Sequence, residues 1–272
     1  MNEVVLKNAF APRVRVRSIA LPVEHGAWGF LFEPIVASLA IAFSGGGVLI
    51  AVMCIGAFLA RQPVKAYLQN RAARNDPHLA AAAIRFGLFY GAFFLAGLLG
   101  SMATAGLWPL VPFLAVIPLG AVQIYFDAAG QGRQLLPELL GALAISASAP
   151  AILLAGGFGI VAAGAFWLVF IARLIPSIIY VRERLRLEKG KSFSRIVPHL
   201  SHAAALVLVG SLAFFRMVPM LAAFAMAVLS FRAIEGLSSG RIKMKAMQIG
   251  IAEVVFGVVT AAALIIGHYS GI

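Results

Sequence analysis

Two stretches of this sequence set arginines at matched spacing behind the same preamble. Pro63-x-x-x-Tyr67-x-x-x-Arg71 is echoed by Pro176-x-x-x-Tyr180-x-x-x-Arg184. More cations follow each: Asn70-Arg71-Ala72-Ala73-Arg74 in the first, and Tyr180 to Arg186, reading YVRERLR, in the second. An arginine fork grips a carboxylate or phosphate through two parallel hydrogen bonds. An internal echo of this kind, at the ends of two apolar segments, describes two similar half-modules facing one anionic ligand.

Deeper in the apolar stretches stand Glu33, Arg61, Glu138, Arg173 and Glu253, with Lys65 one turn after Arg61. A charge inside a bilayer is costly and turns toward a cavity or a partner. Arg173 precedes Arg182 by roughly 13 Å of helix. All five charges fall in the same half of their helices. That agreement predicts a polar pocket open to the cytoplasm, lined by Glu33, Arg61, Glu138 and Arg173. The alternative is that the carboxylates neutralise Arg173 merely to hold the helices together. The ligand-binding set is then Arg61, Lys65, Asn70, Arg71, Arg74, Arg173, Tyr180, Arg182 and Arg186. The candidate proton acceptors are His25, Glu33 and Glu138.

No metal or other cofactor is expected. His199-x-x-His202 has a spacing that can bind metal, but no third ligand is near it in sequence, and a pair of helix-end polar residues is the plainer reading. Cys54, the single cysteine, sits in an apolar run as a small hydrophobe. Gly156-Gly157-Phe158-Gly159 is a tight turn without the strand and lysine of a phosphate loop.

The elements that must position these groups are membrane helices. The chain is 62% hydrophobic and 12% charged, with a mean hydropathy of +0.97, whereas soluble domains carry about 25% charged residues. A formal charge of +12 would suggest nucleic acid for a soluble protein. Here membrane lipids are the better partner and no nucleic acid is expected. Residues 1–25 read as a basic cytoplasmic tail without the apolar core of a cleaved signal, and 26–272 as a single transmembrane domain. A span needs about 20 apolar residues. The pattern places about nine, near 26–43, 47–68, 85–104, 107–126, 136–155, 159–181, 199–215, 217–234 and 247–268, giving an all-α polytopic membrane bundle. The connections alternate between nearly uncharged and basic, and basic loops stay in the cytoplasm. The chain is thus expected in a bacterial cytoplasmic (inner) membrane, N-terminus inside and C-terminus outside. Gly97-x-x-Gly100 is a place where helices could approach closely.

Residues 21–34 (LPVEHGAWGFLFEP), 125–141 (YFDAAGQGRQLLPELLG) and the 180–186 run resemble the YwiC-like family of bacterial membrane proteins. A more distant similarity is to the UbiA-type prenyltransferases. That similarity implies nine transmembrane helices with aspartate-rich motifs in the second-to-third and sixth-to-seventh connections, where aspartates hold magnesium and magnesium holds a prenyl diphosphate. Residues 70–74 follow the register of the family's Asn-Asp-x-x-Asp motif as Asn-Arg-x-x-Arg, so only Asn70 carries over. In the second motif Arg182, Arg184 and Arg186 replace the carboxylates. Magnesium bridging is then disfavoured, and direct arginine contact with a phosphate takes its place. The implied function is a UbiA-like transferase or lipid-modifying enzyme acting on an anionic lipid or prenyl phosphate. The alternatives are a non-enzymatic binder of an anionic lipid or partner, and a small organic-anion transporter. Against the transporter, residues 156–159 and 214–218 offer only Arg216 as a polar group.

Overall fold

A computed structural model describes residues 16–22, 25–73 and 75–272, except the side chains of Val16, Arg17 and His25. The described residues are helical with no strand. A short helical segment, Val16–Ala20, precedes α1 (His25–Ile41), α2 (Gly45–Ala73), α3 (Pro77–Ala105), α4 (Val111–Ala128), α5 (Leu135–Ser146), α6 (Ser148–Ala155), α7 (Ile160–Glu188), α8 (Ile196–Phe214), α9 (Met220–Gly236) and α10 (Ala246–Ser270). Among the described residues, seven helices are long and apolar enough to cross a membrane, with α5 and α6 together making one of them. This is an integral, multi-pass membrane protein.

The remaining two of the nine expected spans correspond to α1 and α9, each 17 residues long. At 1.5 Å per residue each reaches about 25 Å, short of the ~30 Å hydrocarbon core. Conversely α2, α3 and α7 have 29 residues each, about 43 Å of helix. Each is longer than the hydrocarbon core is thick. Asn70 and Arg71 lie in the last turn of α2, and Arg182, Arg184 and Arg186 in the last two turns of α7.

The fifth expected span is not continuous. It breaks at Ala147 between α5 and α6. Pro150 has no N–H, so the carbonyl of Ser146 loses its usual donor four residues on. The Ser146 hydroxyl turns back to the Leu143 carbonyl at 2.7 Å and accepts from Trp167 Nε1 at 2.8 Å. Residues 146–154 are all buried, so this irregular backbone lies inside protein, where a membrane fold tolerates it.

α2 and α3 pack almost backbone to backbone. A Cβ on Gly56 would lie 2.9 Å from the Tyr90 carbonyl, and one on Gly97 would lie 2.6 Å from the Leu49 carbonyl. Gly100 meets the Leu49 side chain. The close approach read from Gly97-x-x-Gly100 is therefore present. The rest of α3 faces outward through Leu88, Phe89, Phe93 and Leu99, the apolar surface that lipid requires. The core gathers around α7, where Phe166, Val169 and Phe170 pack with Leu153, Val209, Met226 and Leu264.

The connections fall at two ends of the bundle. At one, Tyr269 donates to the Ala40 carbonyl and Met220 N–H to the Ile272 carbonyl. At the other, Gln69 reaches the Asp127 carbonyl, Arg182 the Arg133 carbonyl, and Arg184 the Gly236 and Ile242 carbonyls. The second end holds the basic connections.

Candidate functional site

Five helices send polar side chains to one place inside the bundle. Glu33 (α1), Arg173 (α7), His202 (α8), Arg232 (α9) and Glu253 (α10) are each at most 8% exposed. Arg173 Nε lies 3.0 Å from Glu33 Oε2 and Nη1 lies 3.7 Å from Glu253 Oε2. Arg173 Nη2 donates to the Glu253 carbonyl at 2.8 Å. Arg232 Nη1 donates to Glu253 Oε1, and its guanidinium stacks 4.2 Å over the Tyr180 ring. His202 Nδ1 lies 2.8 Å from the Pro198 carbonyl, and Nε2 lies 3.2 Å from Arg232 Nη2. A guanidinium only donates, so Nε2 must accept, and the proton sits on Nδ1. His202 is thus neutral. Two arginines face two carboxylates, and the cluster balances.

Burial at this depth needs such pairing, because an unpaired charge in lipid is costly. Gly257 makes the approach possible: a Cβ there would come 2.8 Å from Glu33 Oε2 and 3.4 Å from Arg173 Nη2. Beside the pair is a cavity lined by Phe30, Glu33, Pro34, Ser146, Phe170, Arg173 and Leu174. It has room for about one water molecule.

A second cluster occupies the rim of the basic end. Asp127 of α4 is 1% exposed. It accepts from Arg61 Nε at 2.7 Å and Nη2 at 3.1 Å and lies 3.6 Å from Lys65 Nζ. The 129–134 connection leads from it to Arg133, whose carbonyl accepts from Arg182 at 3.0 Å. The same Arg182 nitrogen pairs with Glu138 at 2.8 Å. The Arg182 and Glu138 side chains are 34% and 35% exposed, so this pair contributes less than 1 kcal/mol to stability by itself.

A third group locks the loops. Arg184 donates to the last-turn carbonyl of Gly236 and to Ile242, and pairs with Glu188 at 2.9 Å. A cation is favourable at a helix C-terminus. Glu188 also meets Arg241 at 3.3 Å.

The expected site residues therefore separate. Glu33 and Arg173 meet, and so do Glu138 and Arg182. Arg61 and Lys65 share Asp127, so the four side chains expected to line one pocket do not share one. Tyr180 is buried under Arg232 rather than beside Arg182. Asn70 is buried and spends its amide on the Asp76 backbone, donating at 2.8 Å and accepting at 3.0 Å. That closes the α2–α3 turn and commits both polar atoms of the Asn70 amide to the backbone. Arg71 is exposed, and Arg186 is half exposed and pairs with Glu183 at 3.3 Å. Arg74 and the side chain of His25 lie outside the described residues.

Two members of the buried cluster went unrecognised in the sequence. Arg232 reads as the first cation of a basic connection, although it falls within the expected span 217–234. His202 reads as a helix-end residue, yet it is 4% exposed and belongs to the cluster. The available signal was its position nearly two helical turns inside α8. Among the described residues, no three His, Cys, Asp or Glu side chains come together as metal ligands would.

Residues 21–153 match the model of the YwiC-like protein family. The matched stretch carries Glu33, Arg61, Lys65, Asp127 and Glu138, and stops before Arg173, Arg182 and Arg232. No curated protein and no solved structure matches the chain.

Proposed function

We propose that this membrane protein binds an anionic amphiphile, a phosphate-bearing lipid or prenyl phosphate, at the basic rim of the bundle. The observation that carries the reading is the charge imbalance there. Arg61, Lys65, Arg133 and Arg182 outnumber Asp127 and Glu138, and the cationic side chains remain partly open to solvent. Arg71 and Arg186 add charge farther out. Ile124, Tyr125, Leu135 and Leu136 are exposed beside the same connection, an apolar flank suited to the ligand's tail. Cation forks and an ammonium can hold a phosphate without a bridging metal.

Binding without chemistry is the primary reading, because the charge imbalance at the rim accounts for binding alone. The UbiA-like transferase is the second reading. It draws support from Glu138, a proposed proton acceptor that stands at the rim beside Arg182. There the cations would stabilise a departing diphosphate and Glu138 would take a proton from the acceptor. The basic end would face the cytoplasm, since basic connections stay inside.

The test is equilibrium binding of a short-chain prenyl phosphate to purified protein in nanodiscs containing EDTA. A charge-assisted hydrogen bond is worth about 1.5–3 kcal/mol, roughly halved by exposure. Lys65→Gln with Arg182→Gln should then weaken binding about tenfold or more. An unchanged Kd in that double variant would overturn the reading.

A further inference from the structure

We propose that Glu33 is a proton-binding site inside the bundle, and that loading it releases α1 from α7. The proposal is independent of the rim and of any ligand there. Its basis is the asymmetry between the two buried carboxylates. Glu253 is held by Arg232, by Arg173 Nη1 at 3.7 Å, and through its own carbonyl by Arg173 Nη2 at 2.8 Å. Glu33 has one cationic partner, Arg173 Nε; each carboxylate also keeps one buried oxygen without a hydrogen-bond partner, Glu33 Oε1 and Glu253 Oε2, so the difference lies in the counter-ions. A proton on Glu253 would strip a counter-charge from two arginines. A proton on Glu33 costs one contact, and Arg173 keeps Glu253.

The cavity lies beside the same residue. Glu33 lines it, with room for about one water next to the buried pair, and a proton reaching such a water could pass to the carboxylate. The charged groups facing Glu33 are few. Arg173 comes from α7 and Glu253 from α10. α2 brings Cys54, packed in the apolar cluster with Leu31 and Ile35, while its Arg61 and Lys65 are committed to Asp127. α5 offers the Ser146 hydroxyl, already bonded to Leu143 and Trp167, and its Glu138 is paired with Arg182 at the rim. α6 has no titratable side chain. Behind Glu253 stand Arg232 and the neutral His202.

The step is a simple addition. One proton from bulk water forms an O–H bond at Glu33 Oε1, no other bond breaks, and the balanced cluster gains one positive charge. The ionic tie between α1 and α7 is lost, while the ties joining α7, α9 and α10 persist. Pro34 follows Glu33 directly and the backbone break at Ala147 lies beside the same cavity.

The experiment is infrared difference spectroscopy of the full chain in lipid between neutral and acid pH, with ¹³C-labelled glutamate identifying the residue type. A carboxylic-acid carbonyl band from a buried glutamate should appear on acidification. It should vanish in Glu33→Gln and persist in Glu253→Gln. A second variant retains every acid and base: Gly257→Ala places a methyl against the Glu33–Arg173 contact. It should raise proton affinity at Glu33 about tenfold, moving the band's midpoint up by about one pH unit. A band that survives Glu33→Gln, a band that follows Glu253, no glutamate band at all, or a midpoint unmoved in Gly257→Ala would each overturn the proposal.

Discussion

Replacing Arg173 by methionine should destabilise the bundle by about 3–5 kcal/mol, the usual cost of breaking a buried ion pair from one side. The loss falls unevenly on its partners. Methionine retains much of the apolar stem, and Glu253 keeps Arg232 as its counter-ion. Glu33, at 3.0 Å from Arg173 Nε and buried, is left with no cation. Most of the penalty is therefore the stranded charge of Glu33, and a second change, Glu33→Met, should recover about 2 kcal/mol or more of it. Contacting residues couple by roughly 0.5–3 kcal/mol. The assay is equilibrium unfolding by SDS in mixed micelles, followed by tryptophan fluorescence. Trp167 is a suitable reporter, since it donates to Ser146 beside the pair. If the two substitutions add, or if Arg173→Met alone lies within about 0.5 kcal/mol of wild type, Arg173 is not held in place by Glu33 and the account of the buried cluster fails.

Three further outcomes follow from the packing, the charge pattern and the rim. Gly97→Ala should cost about 1–3 kcal/mol by overpacking against the α2 backbone, whereas Gly91→Ala, with nothing within 4 Å of the new methyl, should be neutral or slightly stabilising; the same SDS titration compares them. Reporter fusions at Gly46, Ala105, Phe158 and Ile272 should read as external and those near Asp76 and Lys189 as internal, and a cytoplasmic C-terminus would contradict nine crossings. Arg71→Asp should weaken prenyl phosphate binding more than Arg71→Ala does, because it sets like charges together, and magnesium should restore neither; equal affinities in both variants would make Arg71 a topology marker only.

Hydropathy made the helices legible, because lipid leaves the backbone few alternatives. The positions of Glu33, Arg61, Glu138 and Arg173 also stood out, since each interrupts an apolar run. Their partners did not. Asp127 lies next to a loop and Arg232 close to one, so sequence adjacency disguises a buried side chain as a surface one. Pairing across five helices depends on the rotation of each about its axis, and spacing within one segment does not encode that. The shared Pro-to-Tyr spacing proved a poor guide for the same reason. Tyr180 turns inward beneath Arg232, while Arg182, two residues on, turns out to the rim. The break at Ala147 was foreshadowed only by Pro150, one proline among several inside apolar segments, most of which the helices absorb.

The scatter of the buried cluster along the chain has a consequence for biosynthesis. α2 and α3 can complete their glycine-lined hairpin as soon as both have left the ribosome, because each supplies what the other needs. α1 cannot. Its Glu33 enters the membrane long before Arg173 is translated with α7, and Glu253 closes the network only with α10. At roughly 5–20 residues per second, the nascent chain carries a lone carboxylate in α1 for on the order of ten seconds. During that interval α1 has every reason to stay at the membrane surface or beside the insertion machinery. It is short enough to do so, and it would take its final place only after the C-terminal helices have arrived.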